Sequence, residues 1–136
     1  MSIIGIGTDI IECLRVAKMI ERHGEIFLTR VYTPHEIEYC TARKAATQHY
    51  AGRFAAKEAV SKAFGTGLGP QLGWLDIDIR RKASGEPFVV LHGTGAATAR
   101  RLGISEVRLT MSHSEHYAVA HALALGADPE SAGART

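Results

Sequence analysis

An aspartate at position 9 and a glutamate–lysine pair at positions 58 and 62 are the residues of this chain best suited by type to chemistry. Asp9 closes an apolar, glycine-containing stretch, Ile3-Ile4-Gly5-Ile6-Gly7-Thr8-Asp9. Glu58 and Lys62 lie within Phe54-Ala55-Ala56-Lys57-Glu58-Ala59-Val60-Ser61-Lys62-Ala63, and residues four apart on a helix share a face. Two carboxylates beside an ammonium suit a Mg²⁺–pyrophosphate site, because that ion takes one or two carboxylates and fills its shell with phosphate oxygens and water. The set points to phosphoryl chemistry on a nucleotide-like molecule. Each residue also has a plainer use. An aspartate ending a strand can cap the next helix, and Glu four residues before Lys is a helix-stabilising pair worth about 0.2–0.5 kcal/mol. The pair borders Phe54, Ser61 and Gly65 on the helical wheel, however, and a solvated pair has no reason to do so.

The elements that must position these groups follow from periodicity. Residues 3–9 read as a buried strand whose Gly5 and Gly7 share one face, leaving room for another backbone. Residues 11–23 read as an amphipathic helix. Its Cys13, Val16, Ala17 and Ile20 lie on one side, its Arg15, Lys18 and Arg22 on the other, and Met19 borders that basic stripe. Thr33-Pro34-His35-Glu36 is a helix-start signal for a helix over 34–43. A long helix over 46–65 ends at Gly65, with Gly67 and Gly69 beyond it. Its Gly52, Ala56, Ala59 and Ala63 form a small-residue ridge that fits against the first strand, which predicts that Glu58 comes near Asp9.

The second half alternates as strands over 76–80 and 88–91 around an Ala83–Pro87 turn. An alanine-rich helix over 94–102 is stopped by Gly103, and strands over 107–112 and 117–125 follow. With no repeat and no linker, the expectation is one α+β domain over 1–126 and a flexible tail over 127–136.

Composition excludes several classes. A chain of 136 residues, 46% apolar and 22% charged, is an ordinary globular domain. No apolar run approaches the ~20 residues of a membrane span, and no leader pattern opens the chain. A net charge of +2 is too small to argue for nucleic acid. Cys13 and Cys40 form no paired motif and read as reduced thiols, hence a cytoplasmic protein. Arg53 has the fork geometry to hold a phosphate, whereas Lys57 reads as structural, its stem tucked along the helix and its charge paired elsewhere. The glycines at 65, 67 and 69 read as a helix stop or as a backbone cradle for phosphate; no Walker sequence is present. Ser112-His113-Ser114-Glu115-His116 lacks the elbow of a serine hydrolase, and His113-x-x-His116 lacks the second half of a zinc site.

Gly7-Thr8-Asp9-Ile10 and Phe54-x-x-Lys57-Glu58-Ala59-x-Ser61-Lys62-Ala63 resemble the two signature motifs of the 4′-phosphopantetheinyl transferases. The short chain and Gly65-Thr66-Gly67-Leu68-Gly69 resemble the holo-acyl-carrier-protein synthase branch. The resemblance implies an antiparallel sheet packed against a long central helix. It implies transfer of 4′-phosphopantetheine from coenzyme A to a serine of apo-acyl carrier protein in fatty acid biosynthesis. Asp9 and Glu58 would then hold Mg²⁺ (or Mn²⁺), with Lys62 as the third catalytic group and Glu58 as the candidate base. Lys44, Arg53, Phe54, Ser61, Lys62, Gly65, His113 and Ser114 would contact coenzyme A, the last two at its 3′-phosphate, with Arg43 a possible assistant. Arg15, Lys18, Met19 and Arg22, with Phe27 and Leu28, would dock the acidic carrier. The branch is homotrimeric with sites at subunit interfaces, and neither nucleic acid nor membrane is a partner. A Mg²⁺-dependent coenzyme A or nucleotide phosphohydrolase and a non-catalytic coenzyme A-binding trimer are the alternatives.

Overall fold

A computed structural model describes residues 1–128. Ten elements run in the order β1 (Ser2–Glu12), α1 (Cys13–His23), α2 (Glu25–Val31), α3 (Pro34–Thr41), α4 (Ala46–Phe64), β2 (Ile77–Arg81), β3 (Pro87–Leu91), α5 (Gly93–Leu102), β4 (Ile104–His113) and β5 (Tyr117–Gly126). The α+β expectation holds, but the strands divide between two sheets. An antiparallel sheet has the order β1-β5-β4, and β2-β3 is a separate hairpin.

The long helix α4 lies on one face of the three-stranded sheet, and alanines meet there. Ala51, Ala55, Ala56, Ala59 and Ala63 of α4 are buried, as are Ala118, Ala120, Ala122 and Ala124 of β5. The expected close approach of β1 is present. A Cβ at Gly7 would collide with the carbonyl of Ala59, and one at Gly5 with that of Ala63. Helix and strand therefore touch backbone to backbone, with no side chain between them.

The end of β1 and the helix that follows α1 depart most from the sequence reading. β1 does not end at Asp9 but runs to Glu12, because every residue from Ile6 to Glu12 keeps a partner on β5. Asp9 pairs with Ala120 inside the ladder, so it does not cap α1, whose cap position is Glu12. The short helix α2 was not anticipated. It starts after Gly24, which takes φ +52 where a side chain would be strained. The Thr33–Glu36 capping box of α3 forms as expected, and Gly65 ends α4 in the left-handed conformation. Of the tail, only Ala127 and Asp128 fall within the described residues. Asp128 accepts from the Ser2 hydroxyl and lies 3.6 Å from the N-terminal ammonium.

Candidate active site

Asp9 and Glu58 are brought together by the glycine contact just described. Asp9 sits two residues beyond Gly7 on the strand face that meets α4, and Glu58 is the neighbour of Ala59, whose carbonyl abuts Gly7. Burial, and then the charge of Asp9, lift the Glu58 carboxyl above its ordinary value, with Lys62 pulling the other way. Lys62 does not form the i,i+4 pair with Glu58 that the sequence allowed. Its ammonium reaches across to β1, 3.1 Å from Asp9 Oδ1 and 2.9 Å from the Thr8 carbonyl. One carboxylate is thus paired, and the other is half-buried, repelled and, among the described residues, without a hydrogen bond of its own side chain. Two converging carboxylates, one destabilised by the other, fit a divalent cation in kind and number. Among the described residues no three His, Cys, Asp or Glu side chains converge, so the protein offers that ion no larger cage.

Lys57, next to Glu58 in the signature motif, is structural. Its ammonium is fully buried, 2.8 Å from Glu36 Oε1, and donates to the carbonyls of Trp74 (2.8 Å) and Ile77 (2.6 Å). These three partners use all three donors of an ammonium. Glu36 also accepts from the backbone N–H groups of Thr33 and Ile79, which ties α3, α4 and β2 together behind the site.

Other expected site residues scatter. Arg53 is only 1% exposed, on a flank of α4 that faces away from Asp9, and among the described residues its Nε and Nη1 find no hydrogen-bond partner. His113 lies near it at the end of β4, its Nδ1 3.1 Å from Gln48 Oε1 and its ring 5.1 Å from that of His49. Ser114 is committed to the β4–β5 turn, where its backbone N–H donates to Tyr117 and its hydroxyl accepts from the Tyr117 N–H. Ser61 is buried and donates to the Glu58 carbonyl one turn back, so its hydroxyl is not presented to a ligand. Phe54 stands in an aromatic group with Phe27 and Trp74. Lys44 and Gly65 are exposed.

The basic stripe of Arg15, Lys18 and Arg22 is exposed on α1, with Met19 half-buried beside it. Phe27, read as part of that docking surface, is instead 9% exposed and packs on Tyr32 and Phe54. Leu28 is half-buried. The apolar groups that do face solvent here are Leu14 and Ile26. Helix α2, unrecognised from sequence, turns Phe27 inward and Ile26 outward.

Sequence reasoning also missed a group around Tyr39. Its ring carries the guanidinium of Arg43 at 3.7 Å, that of Arg53 at 4.2 Å and that of Arg81 at 5.9 Å from its centroid. Its sequence signal is Tyr39 and Arg43 four residues apart, one on α3 and the other just beyond its end, which says nothing of Arg53 or Arg81.

Comparison with known proteins decides the family. The model of the 4′-phosphopantetheinyl transferase superfamily matches residues 5–122. The holo-[acyl-carrier-protein] synthase of Koribacter versatilis is 47% identical over 118 residues, 87% of this chain and 94% of that one. The chain belongs to the holo-[acyl-carrier-protein] synthase family. Solved structures agree. The synthase of Neisseria meningitidis superposes with a TM-score of 0.86 at 34% identity, covering 91% of this chain and 99% of that one. The Helicobacter pylori synthase, in complex with coenzyme A, gives 0.79 at 32% identity over 88% and 99% of the two chains. As a member of this family the chain is an enzyme of the phosphopantetheinyl transferase class, and coenzyme A and an acyl carrier protein are the reactants the family implies.

Proposed function

We propose that this chain transfers 4′-phosphopantetheine from coenzyme A to a serine of apo-acyl carrier protein, in a reaction that depends on Mg²⁺ and serves fatty acid biosynthesis. The observation that carries this reading is the convergence of Asp9, Glu58 and Lys62 from two elements. Asp9 and Glu58 would hold the divalent ion (Mn²⁺ serving in its place), which supplies charge neutralisation at the diphosphate. The serine oxygen attacks the β-phosphorus, and the bond from that phosphorus to the bridging oxygen breaks. Adenosine 3′,5′-bisphosphate leaves with the electron pair. Lys62, held on β1 by Asp9 and Thr8, neutralises negative charge on the β-phosphate side. Glu58 takes the serine proton, directly or through one water. Arg53, His113 and Ser114 hold the nucleotide end, Ser114 through its position in the turn.

The enzyme acts as a homotrimer with each site shared between neighbours. Arg53 and Glu58 point roughly 140° apart around α4, a spacing of five residues at 100° each, so one extended coenzyme reaches both groups most easily on two different chains. The outer face of the sheet also favours association. Ile6 and Ile10 are 65% and 64% exposed, and they lie opposite Leu123 and Val119 of β5. An apolar face of this kind marks a contact surface. Arg15, Lys18 and Arg22 steer the acidic carrier, with Leu14 and Ile26 as apolar anchors in place of Phe27. Two unpaired buried cysteines are in keeping with a reducing, cytoplasmic setting.

Mass spectrometry of apo-carrier protein incubated with coenzyme A, Mg²⁺ and this enzyme should show one added phosphopantetheine, and none when a chelator replaces Mg²⁺. Consumption of coenzyme A at an equal rate without carrier would instead identify a phosphohydrolase. Binding of coenzyme A with no turnover in either case would identify a non-catalytic module.

A further inference from the structure

The outer face of the three-stranded sheet holds one residue that its apolar surroundings leave unexplained. Side chains alternate along a strand, so the alanines of β5 are buried against α4 while Val119, His121, Leu123 and Leu125 look outward. β5 lies between β1 and β4, and His121 is the fifth of its ten residues, which places an exposed imidazole at the middle of the face. The register sets Thr8 of β1 on one side of it and Thr110 of β4 on the other. The adjoining rows are Ile10, Val119 and Ser112 towards one end, and Ile6, Leu123 and Arg108 towards the other.

Few charged groups share this face. On β1 there is Glu12, at the far end opposite Tyr117, whereas Asp9 faces α4. On β4 there are Arg108, diagonal to His121, and Glu106, whose carboxylate lies 3.6 Å from the Arg108 guanidinium. β5 contributes no carboxylate, and Tyr117 is its other titratable group. Among the described residues His121 has no ion pair. The Thr8 hydroxyl is spent on the Ala120 carbonyl at 3.2 Å. No acid stands beside the ring to stabilise an imidazolium, and the charge on the adjoining row, that of Arg108, has the same sign.

We propose that His121 makes the self-association of this chain proton-linked: neutral when a neighbouring copy covers it, it takes up a proton and releases that copy on acidification. This rests on the homotrimer reading, with a second copy of the chain as the occupant of the face. Glu12 at one end and Arg108 towards the other give the face charges that a copy can meet with its own. A hollow lined by Ile6, His121, Leu123 and Arg108 leaves room for a neighbour's side chain over the ring. His121 is central, so it loses water whichever way that neighbour turns. Covering an imidazole among apolar groups with no acid favours its neutral form. The assembled state therefore binds fewer protons than the separated chains, and acid favours separation. With each site shared between neighbours, the same protons switch transfer off.

The test is analytical ultracentrifugation of the full-length protein over a concentration series from about pH 8 to about pH 5.5, with Trp74 emission recorded at each pH to follow the fold. The parent, His121→Gln and His116→Gln are compared; glutamine keeps the polarity of histidine without its titration, and His116 lies outside the face, in the β4–β5 turn. About one pH unit below the ordinary histidine value of about 6.5, each covered imidazole weakens assembly about tenfold, and three do so about a thousandfold. The half-assembly concentration of a trimer follows the square root of that factor, so for the parent it should rise about thirtyfold with emission unchanged. His116→Gln should follow the parent, and His121→Gln should stay assembled and active across the range. A parent that stays trimeric at every pH, or a His121→Gln variant that dissociates as the parent does, overturns the proposal and leaves the trimer standing. Dissociation that coincides with loss of the folded emission assigns the effect to acid unfolding and overturns it as well. A parent that is monomeric at about pH 8 at every concentration refutes the homotrimer reading along with it.

Discussion

At the residue scale, the proposed chemistry rests on one repelled carboxylate, Glu58. Glu58→Gln should lower transfer by about a hundredfold or more, as loss of a group acting on the reacting centre does. Removal of the charge also ends the conflict with Asp9, so the metal-free variant should melt higher than the parent, by about 2 °C. Measuring both on the same preparation separates lost function from lost fold. The sign with pH follows from the raised proton affinity of Glu58. The folded chain holds that proton more tightly than the unfolded chain does, so metal-free stability should fall as pH climbs from the ordinary glutamate range through the raised value. Metal affinity should do the opposite, weakening as acid protonates the ligand, and calorimetric scans and Mg²⁺ titrations of Glu58→Gln should lack both slopes. The sequence made Asp9, Glu58 and Lys62 legible because motif and spacing are local. It did not reveal that Lys62 crosses to Asp9 or that Lys57 is spent on Glu36, since each partner lies more than twenty residues away. The Tyr39 cluster was hidden because Arg53 and Arg81 come to it from other elements.

At the element scale, β1 and α4 form the unit that matters, and their contact was readable from glycines and alanines alone. Gly7→Ala should destabilise the fold by about 3 kcal/mol or more, because the added methyl meets backbone that cannot rotate away. Urea unfolding checks this, and transfer should fall with it as Asp9 and Glu58 are pushed apart. Helix α2 escaped the sequence because seven residues, Glu25–Val31, are too few to display a helical period. That one omission produced the error at Phe27, since inward and outward faces cannot be assigned before the element is known. Asp9 as the last residue of a strand was a similar slip. The ladder continues through Ile10 and Ile11 because β5 is long enough to pair with them.

At the scale of the whole molecule, the open face of the three-stranded sheet is the feature to test. Ile6→Lys with Ile10→Lys should convert the proposed trimer to a monomer in gel filtration coupled to light scattering, with an unchanged circular dichroism spectrum and little transfer. A variant that stays associated and active would place the contact elsewhere. Alternating apolar strands made the α+β class legible, while the split into two sheets was not, because strand order is fixed by long-range packing that no local period encodes. The naked meeting of strand and helix carries one further implication. Where Gly5 and Gly7 rest on the carbonyls of α4, the distance between the two acidic groups is gauged by peptide thickness, which no genetic change to a side chain can thin. A chain that keeps both glycines and the small residues facing them is therefore held to one calibrated opening at the jaws of the site, whatever it carries on its outer faces.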